Sequence, residues 1–145
     1  MGRPLIFALL VTVLAASACA PVVPQPAASA VPLARSLQGT QWLLEDLSGR
    51  GVVDRLQSTL TFPETGRVSG MAGCNNFMGS MSLDGNRVAF GQLATTRKAC
   101  APAVGDQEAR YLEALSRAER IRQEGPFLYI DTAGSDKPLK FTQIR

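Results

Sequence analysis

Gly70-Met71-Ala72-Gly73-Cys74-Asn75-Asn76-Phe77 sets glycines and asparagines around a cysteine, between two strand-like runs. Glycine and asparagine accept positive φ, and an asparagine side chain hydrogen-bonds its own backbone, so the chain turns a corner here. A second cysteine closes Ala94-Thr95-Thr96-Arg97-Lys98-Ala99-Cys100. The two segments are expected to be stitched together, and most of the remaining chain to pack against that unit or to deliver it to a membrane.

The flanks of the corner read as strands. Upstream, Ser58-Thr59-Leu60-Thr61-Phe62 alternates with Leu60 and Phe62 inward. Pro63-Glu64-Thr65-Gly66 is a hairpin connection, and Arg67-Val68-Ser69-Gly70 returns. Glycine at position 70 points to close backbone approach or a bulge. Downstream, Phe77-Met78-Gly79-Ser80-Met81-Ser82 is a strand. Leu83-Asp84-Gly85-Asn86 is a hairpin turn in which Asp-Gly suits type I′ geometry. Arg87-Val88-Ala89-Phe90 pairs back with Val88 and Phe90 on one face.

Further out, Trp42 and Leu44 share one face of a strand that opens the folded region, and Trp42 is read as a core anchor rather than an exposed binding aromatic. Ser48-Gly49-Arg50-Gly51 is a turn, and Val52-Val53 is read as a short strand. After Ala101-Pro102 comes the one good helix, with Asp106 as its N-cap and Glu108 in its first turn. Ala109, Leu112 and Leu115 form its apolar stripe, flanked by Tyr111 and Ala118. A half-exposed strand around Ile121 follows, then a last hairpin of Phe127-Leu128-Tyr129-Ile130 with Leu139-Lys140-Phe141-Thr142-Gln143-Ile144. The expected fold is α+β and mainly β: an antiparallel barrel-like sheet of about seven or eight short strands, with a single helix packed on it.

Composition narrows the function. The 145 residues suffice for one domain. The formal charge of +3 is weak and interspersed, which argues against nucleic acid as a partner. There are no histidines, which removes Ser-His and Cys-His nucleophile pairs and imidazole metal sites together. Three cysteines, one of them modified, make a four-ligand zinc site hard to build, so neither a metal nor a cofactor is expected.

The first residues read as an export signal. Arg3 supplies a positive n-region, and residues 5–16 form an apolar run too short for a comfortable membrane span. Ala16-Ser17-Ala18-Cys19 resembles a bacterial lipobox, in which a diacylglycerol is attached to the sulfur and peptidase cuts before the cysteine. An ordinary signal peptide cut after Ala18 is the alternative. Residues 1–18 are thus assigned to the signal, with Cys19 as the lipid attachment site. Ala20 in place of aspartate suits sorting to the outer membrane in a diderm host. Residues 19–36, rich in proline and alanine, make an extended tether reaching up to about 50 Å from the bilayer. Residues 37–145 are the folded domain.

Export also bears on the sulfurs. With Cys19 taken by lipid, Cys74 and Cys100 are an even pair in an oxidising compartment, and a disulfide is expected. Two buried reduced thiols, or a reactive Cys74 near Arg97 or Lys98, are the alternatives.

At these residues the chain resembles the META domain family, the HslJ-like bacterial envelope proteins. The matching pieces are Leu37-x-Gly39-Thr40-x-Trp42-x-Leu44, the run from Val68 through the corner to Gly79, the Ala94-Thr95-Thr96-Arg97-Lys98-Ala99-Cys100 block, and the acidic helix start at Gln107-Glu108. Lys98 stands where the family often has methionine, a surface difference. The resemblance covers about residues 37–145. It implies a small β-rich domain with one helix, often in lipoproteins associated with heat shock, antibiotic tolerance or secretion, and no established enzymatic activity.

The expected function is therefore a non-enzymatic, lipid-anchored protein on the periplasmic face of the outer membrane, serving envelope stress response or maintenance by binding a periplasmic protein or peptide. Its candidate surface is Asn75, Asn76, Thr95, Thr96 and Arg97, whose alternative role is turn geometry and backbone capping. An enzyme inhibitor, or a redox couple of Cys74 with Cys100, are rival readings. An Asp/Glu enzyme is a further rival, but the sequence pairs no two of Asp46, Asp54, Glu64, Asp84 and Asp131. Oligomeric state is left open.

Overall fold

Alternating apolar residues drive a barrel to close. The computed structural model describes residues 32–145. The expected signal, Cys19 and most of the tether lie outside the described residues. The elements run α1 (Leu33–Leu37), β1 (Gln41–Leu47), β2 (Thr59–Thr61), β3 (Arg67–Met71), β4 (Asn76–Asp84), β5 (Arg87–Phe90), β6 (Ala94–Thr95), α2 (Pro102–Ser116), β7 (Ala118–Glu124), β8 (Phe127–Thr132) and β9 (Leu139–Gln143). The strand order is β3-β2-β1-β9-β8-β7-β5-β4, and a β3–β4 pairing closes it into an eight-stranded antiparallel barrel. Closure leaves no edge in that ring. The ninth strand, β6, pairs with β4 on the edge away from β3, with Phe77 opposite Thr95 and Met78 opposite Ala94.

The inward residues of successive strands meet as one core. Trp42, Leu44, Leu60, Phe62, Val68, Phe77, Val88, Ile121, Leu128, Ile130, Leu139 and Phe141 are all buried. Trp42 is fully enclosed, 0% exposed, and its indole N–H donates to the Thr40 hydroxyl at 2.7 Å. The helix α2 lays Gln107, Tyr111, Ala114 and Leu115 against this core. The Tyr111 ring meets Phe77 edge-on at 6.0 Å and Phe141 at 6.1 Å. Burial pushes its phenol well above the usual tyrosine range, so the hydroxyl stays neutral and donates to the Thr59 carbonyl at 3.2 Å. Among the described residues no helix is long and apolar enough to cross a membrane.

Five local expectations are corrected. α2 starts at Pro102, not at Asp106, and has no side-chain cap; proline at the first turn lacks only an N–H that is unpaired there anyway. Its buried stripe is Gln107, Tyr111, Ala114 and Leu115, and Ala109 is exposed, because Tyr111 supplies the largest apolar body. Val52-Val53 is not a strand; the Val53 N–H donates to the Gln107 side chain instead of a ladder. The β4–β5 turn is Gly85-Asn86, with Asp84 opposite Arg87. Gly85 sits at φ 59 while Asn86 is not at positive φ, the pattern of a type II′ rather than a type I′ loop. Finally, α1 occupies the end of the segment read as tether, because Leu37 is buried and Leu33 packs on the core.

Gly70 carries the close approach expected of it. A Cβ there would lie 2.1 Å from the Thr59 carbonyl oxygen and 2.8 Å from the Phe77 ring. Both neighbours are fixed, one by the β2 backbone and one by the core. Gly70→Ala is expected to lower stability by about 2 kcal/mol, as overpacking does. Urea unfolding followed by circular dichroism checks it, and an unchanged midpoint would show that the barrel yields freely there.

Candidate functional site

The corner between β3 and β4 is a four-residue turn, Ala72-Gly73-Cys74-Asn75, in which the Ala72 N–H donates to the Asn75 carbonyl at 2.8 Å. Two other segments are fastened to it. The stretch following β6 lies alongside: the Thr96 N–H donates to the Asn76 carbonyl at 3.0 Å, and the Asn76 N–H donates to the Thr96 hydroxyl at 3.1 Å. The second turn of α2 brings in Glu108.

Glu108 organises the turn. One carboxylate oxygen accepts the backbone N–H groups of Cys74 at 3.1 Å and Asn75 at 2.9 Å. The other accepts the Asn75 side-chain amide at 2.8 Å. Bonds to an ionised acceptor are the stronger class, and two successive backbone N–H groups form a small anion-holding nest. Next to it, the buried Gln107 side chain donates to the Ser58 hydroxyl at 3.1 Å, which in turn donates to the Ala72 carbonyl at 2.7 Å. A continuous polar chain thus ties the loop at Val53 to the corner.

Cys74 and Cys100 are joined by a disulfide with Cα atoms 6.2 Å apart. Their sulfurs and the Glu108 carboxylate lie within 4.8 Å of one another. As a ligand set the cluster does not fit a metal: both sulfurs are consumed by the covalent bond, and Glu108 already holds three donors.

The residues singled out in the sequence all gather here, but they divide in two. Asn75 is 5% exposed. Its Oδ1 accepts from the Thr96 hydroxyl at 2.9 Å and the Lys98 N–H at 2.7 Å, and its amide is given to Glu108. Asn75 and Thr96 therefore spend their polar groups inside the corner. Asn76, Thr95 and Arg97 are exposed, and their side chains take no hydrogen-bond partner among the described residues. Lys98 is exposed, as a surface difference should be.

Two features were missed in the sequence. The sequence places Glu108 in the first turn of the helix, and nothing in its spacing reveals that it reaches a turn far upstream. Met78 is 66% and Met71 39% exposed beside Asn76. Met71 pairs with Asn76 in register, so both lie on the outer face with Met78 two positions along. The alternation around buried Phe77 already implied an outward Met78.

The family model for the META domain matches residues 35–144. An NMR structure of a protein from Burkholderia xenovorans shares 29% identity over 86% of this chain and 98% of that chain, with a TM-score of 0.61. A second NMR structure shares 27% identity over 75% of this chain and 92% of that one, also with a TM-score of 0.61. No curated protein matches. The family match runs from the end of α1 through the last barrel strand and takes in the disulfide corner and Glu108: the chain belongs to the META domain family.

Proposed function

We propose that this protein is a non-enzymatic, lipid-anchored envelope protein that binds a periplasmic protein or peptide at the disulfide corner, in the service of envelope stress response or maintenance. The observation that carries this reading is a division of labour between the residues of the corner and their neighbours. Cys74, Asn75, Thr96, Cys100 and Glu108 hold the corner rigid, while Asn76, Thr95, Arg97 and Met78 project from it and are not needed to hold it. A rigid frame lowers the ordering cost of binding. Exposed methionine with a flanking arginine and polar groups suits an adaptable protein contact. The histidine-free sequence supports binding rather than catalysis.

The lipobox-like Ala16-Ser17-Ala18-Cys19 supports anchoring, and Ala20 supports the periplasmic face of the outer membrane. Mass spectrometry of the mature protein extracted from membranes should report acyl mass on Cys19; an unmodified N-terminal cysteine removes the anchor from the proposal. For the partner, crosslinking in intact cells should trap a reproducible envelope protein or peptide. Asn76→Ala with Arg97→Ala should abolish the adduct while leaving the fold unchanged. Trapping that survives the double substitution sinks the corner as the binding surface.

A further inference from the structure

The last turns of α2 border a concave site, away from the corner that its second turn holds. A cleft of about 270 Å³ opens between the turn after β1, the C-terminal half of α2 and the turn after β8. Ser48, Arg50, Arg110, Glu113, Arg117 and Gly134 are among its lining residues. Its charge is unbalanced. Three guanidinium groups face one carboxylate, and Glu113 is already paired with Arg117 at 3.2 Å. Arg50 and Arg110 make no ion pair among the described residues. The Arg110 Nε donates to the Asp106 carbonyl at 3.3 Å, which leaves its terminal nitrogens free.

The wall of the cleft is preformed. Ser48 stands at φ 56, a left-handed conformation that non-glycine residues seldom adopt. The Asp46 carboxylate holds that turn in place by accepting the N–H groups of Gly49 and of Gly51, the latter at 3.1 Å. Such strain persists where the surroundings over-determine it and gathers at ligand clamps. The Ser48 hydroxyl and the Gly134 N–H find no partner among the described residues, so the cleft offers neutral donors beside the guanidinium groups.

The α2 C-terminus opposes an anion with roughly half a negative charge. The surplus of two guanidinium charges exceeds it. We propose that the cleft binds a phosphate group, whose charge of about −1.5 to −2 at neutral pH matches that surplus. Arg50 and Arg110 contact its oxygens, and Ser48 and Gly134 donate to the remaining ones. The group belongs to a soluble phosphate ester or to a lipid headgroup.

The test is titration of the full chain with inorganic phosphate at low ionic strength, read from the arginine Nε–H resonances by NMR. Saturable shifts at Arg50 and Arg110 are expected. Arg50→Gln and Arg110→Gln should each weaken binding by about tenfold, the loss expected for one charge-assisted contact. Arg87→Gln, at an exposed arginine elsewhere on the surface, should leave it unchanged. A shift that never saturates, or an equal loss in Arg87→Gln, overturns the proposal. Sedimentation with vesicles of phosphatidylcholine alone or with added phosphatidate then separates the sources: extra retention on phosphatidate that is lost in Arg50→Gln assigns a lipid headgroup, equal retention on both assigns a soluble ester, and extra retention that survives Arg50→Gln overturns the cleft as the lipid site. Neither Arg50 nor Arg110 belongs to the corner, so this result is separate from that of the partner experiment.

Discussion

Glu108→Ala is expected to lower the stability of the domain by about 3 kcal/mol. The substitution removes three donors' acceptor at once: the N–H groups of Cys74 and Asn75 and the Asn75 amide. Hydrogen bonds to an ionised group contribute about 1.5–3 kcal/mol each, but they act as a unit and water reaches part of the corner, so the total falls below their sum. The largest share comes from Asn75, which is buried and whose amide would keep only a long bond, 3.4 Å, to the Lys98 carbonyl and contacts to the two sulfurs. Glu108→Gln keeps the shape and one acceptor oxygen and should recover about half of the loss. Urea unfolding measures both, and hydrogen exchange at the Cys74 and Asn75 amides reports the site directly. Glu113→Ala is the reference, since Glu113 makes only an exposed i,i+4 pair with Arg117. If Glu108→Ala costs no more than Glu113→Ala, the carboxylate does not organise the corner.

Removing the disulfide should be comparably damaging. Cys74→Ala with Cys100→Ala opens a link spanning 26 residues. In the chain-entropy account a loop of that size contributes about 3.5 kcal/mol by restricting the unfolded chain. For a domain of this length that corresponds to roughly a 15 °C fall in melting temperature. Dithiothreitol should lower the wild-type melting temperature by a similar amount and leave the double variant unmoved. A wild type indifferent to reductant, or a double variant that still responds, would show that the bond is not the staple. Glu108 and the disulfide hold the same turn, so their losses should not add, and the triple variant measures that coupling.

Much of the barrel was legible because its code is local. The pairs Leu60 with Phe62, Val88 with Phe90 and Trp42 with Leu44 repeat at period two, and each pair is buried. The helix boundary was misread because Asp106 looked like a cap, whereas Pro102 starts the helix with no cap at all. The turn at Gly85 was misplaced by one residue because Asp-Gly and Gly-Asn are both good hairpin dipeptides, and only the pairing of Asp84 with Arg87 decides between them. At the site, the gathering of Asn75, Asn76, Thr95, Thr96 and Arg97 followed from joining Cys74 to Cys100. Their separation into holders and presenters did not.

What the sequence determined by itself was therefore the eight barrel strands, most of the turns, the even cysteine pair and the family resemblance. Each depends on neighbours a few positions apart, where sterics and burial act through the chain itself. Tertiary structure alone decided that β3 closes on β4, that Asn75 turns inward while Asn76 turns outward, and that Glu108 crosses to the corner. A polar side chain takes whichever donor or acceptor the packed core leaves within hydrogen-bond reach, and that distance exists only after the barrel has closed.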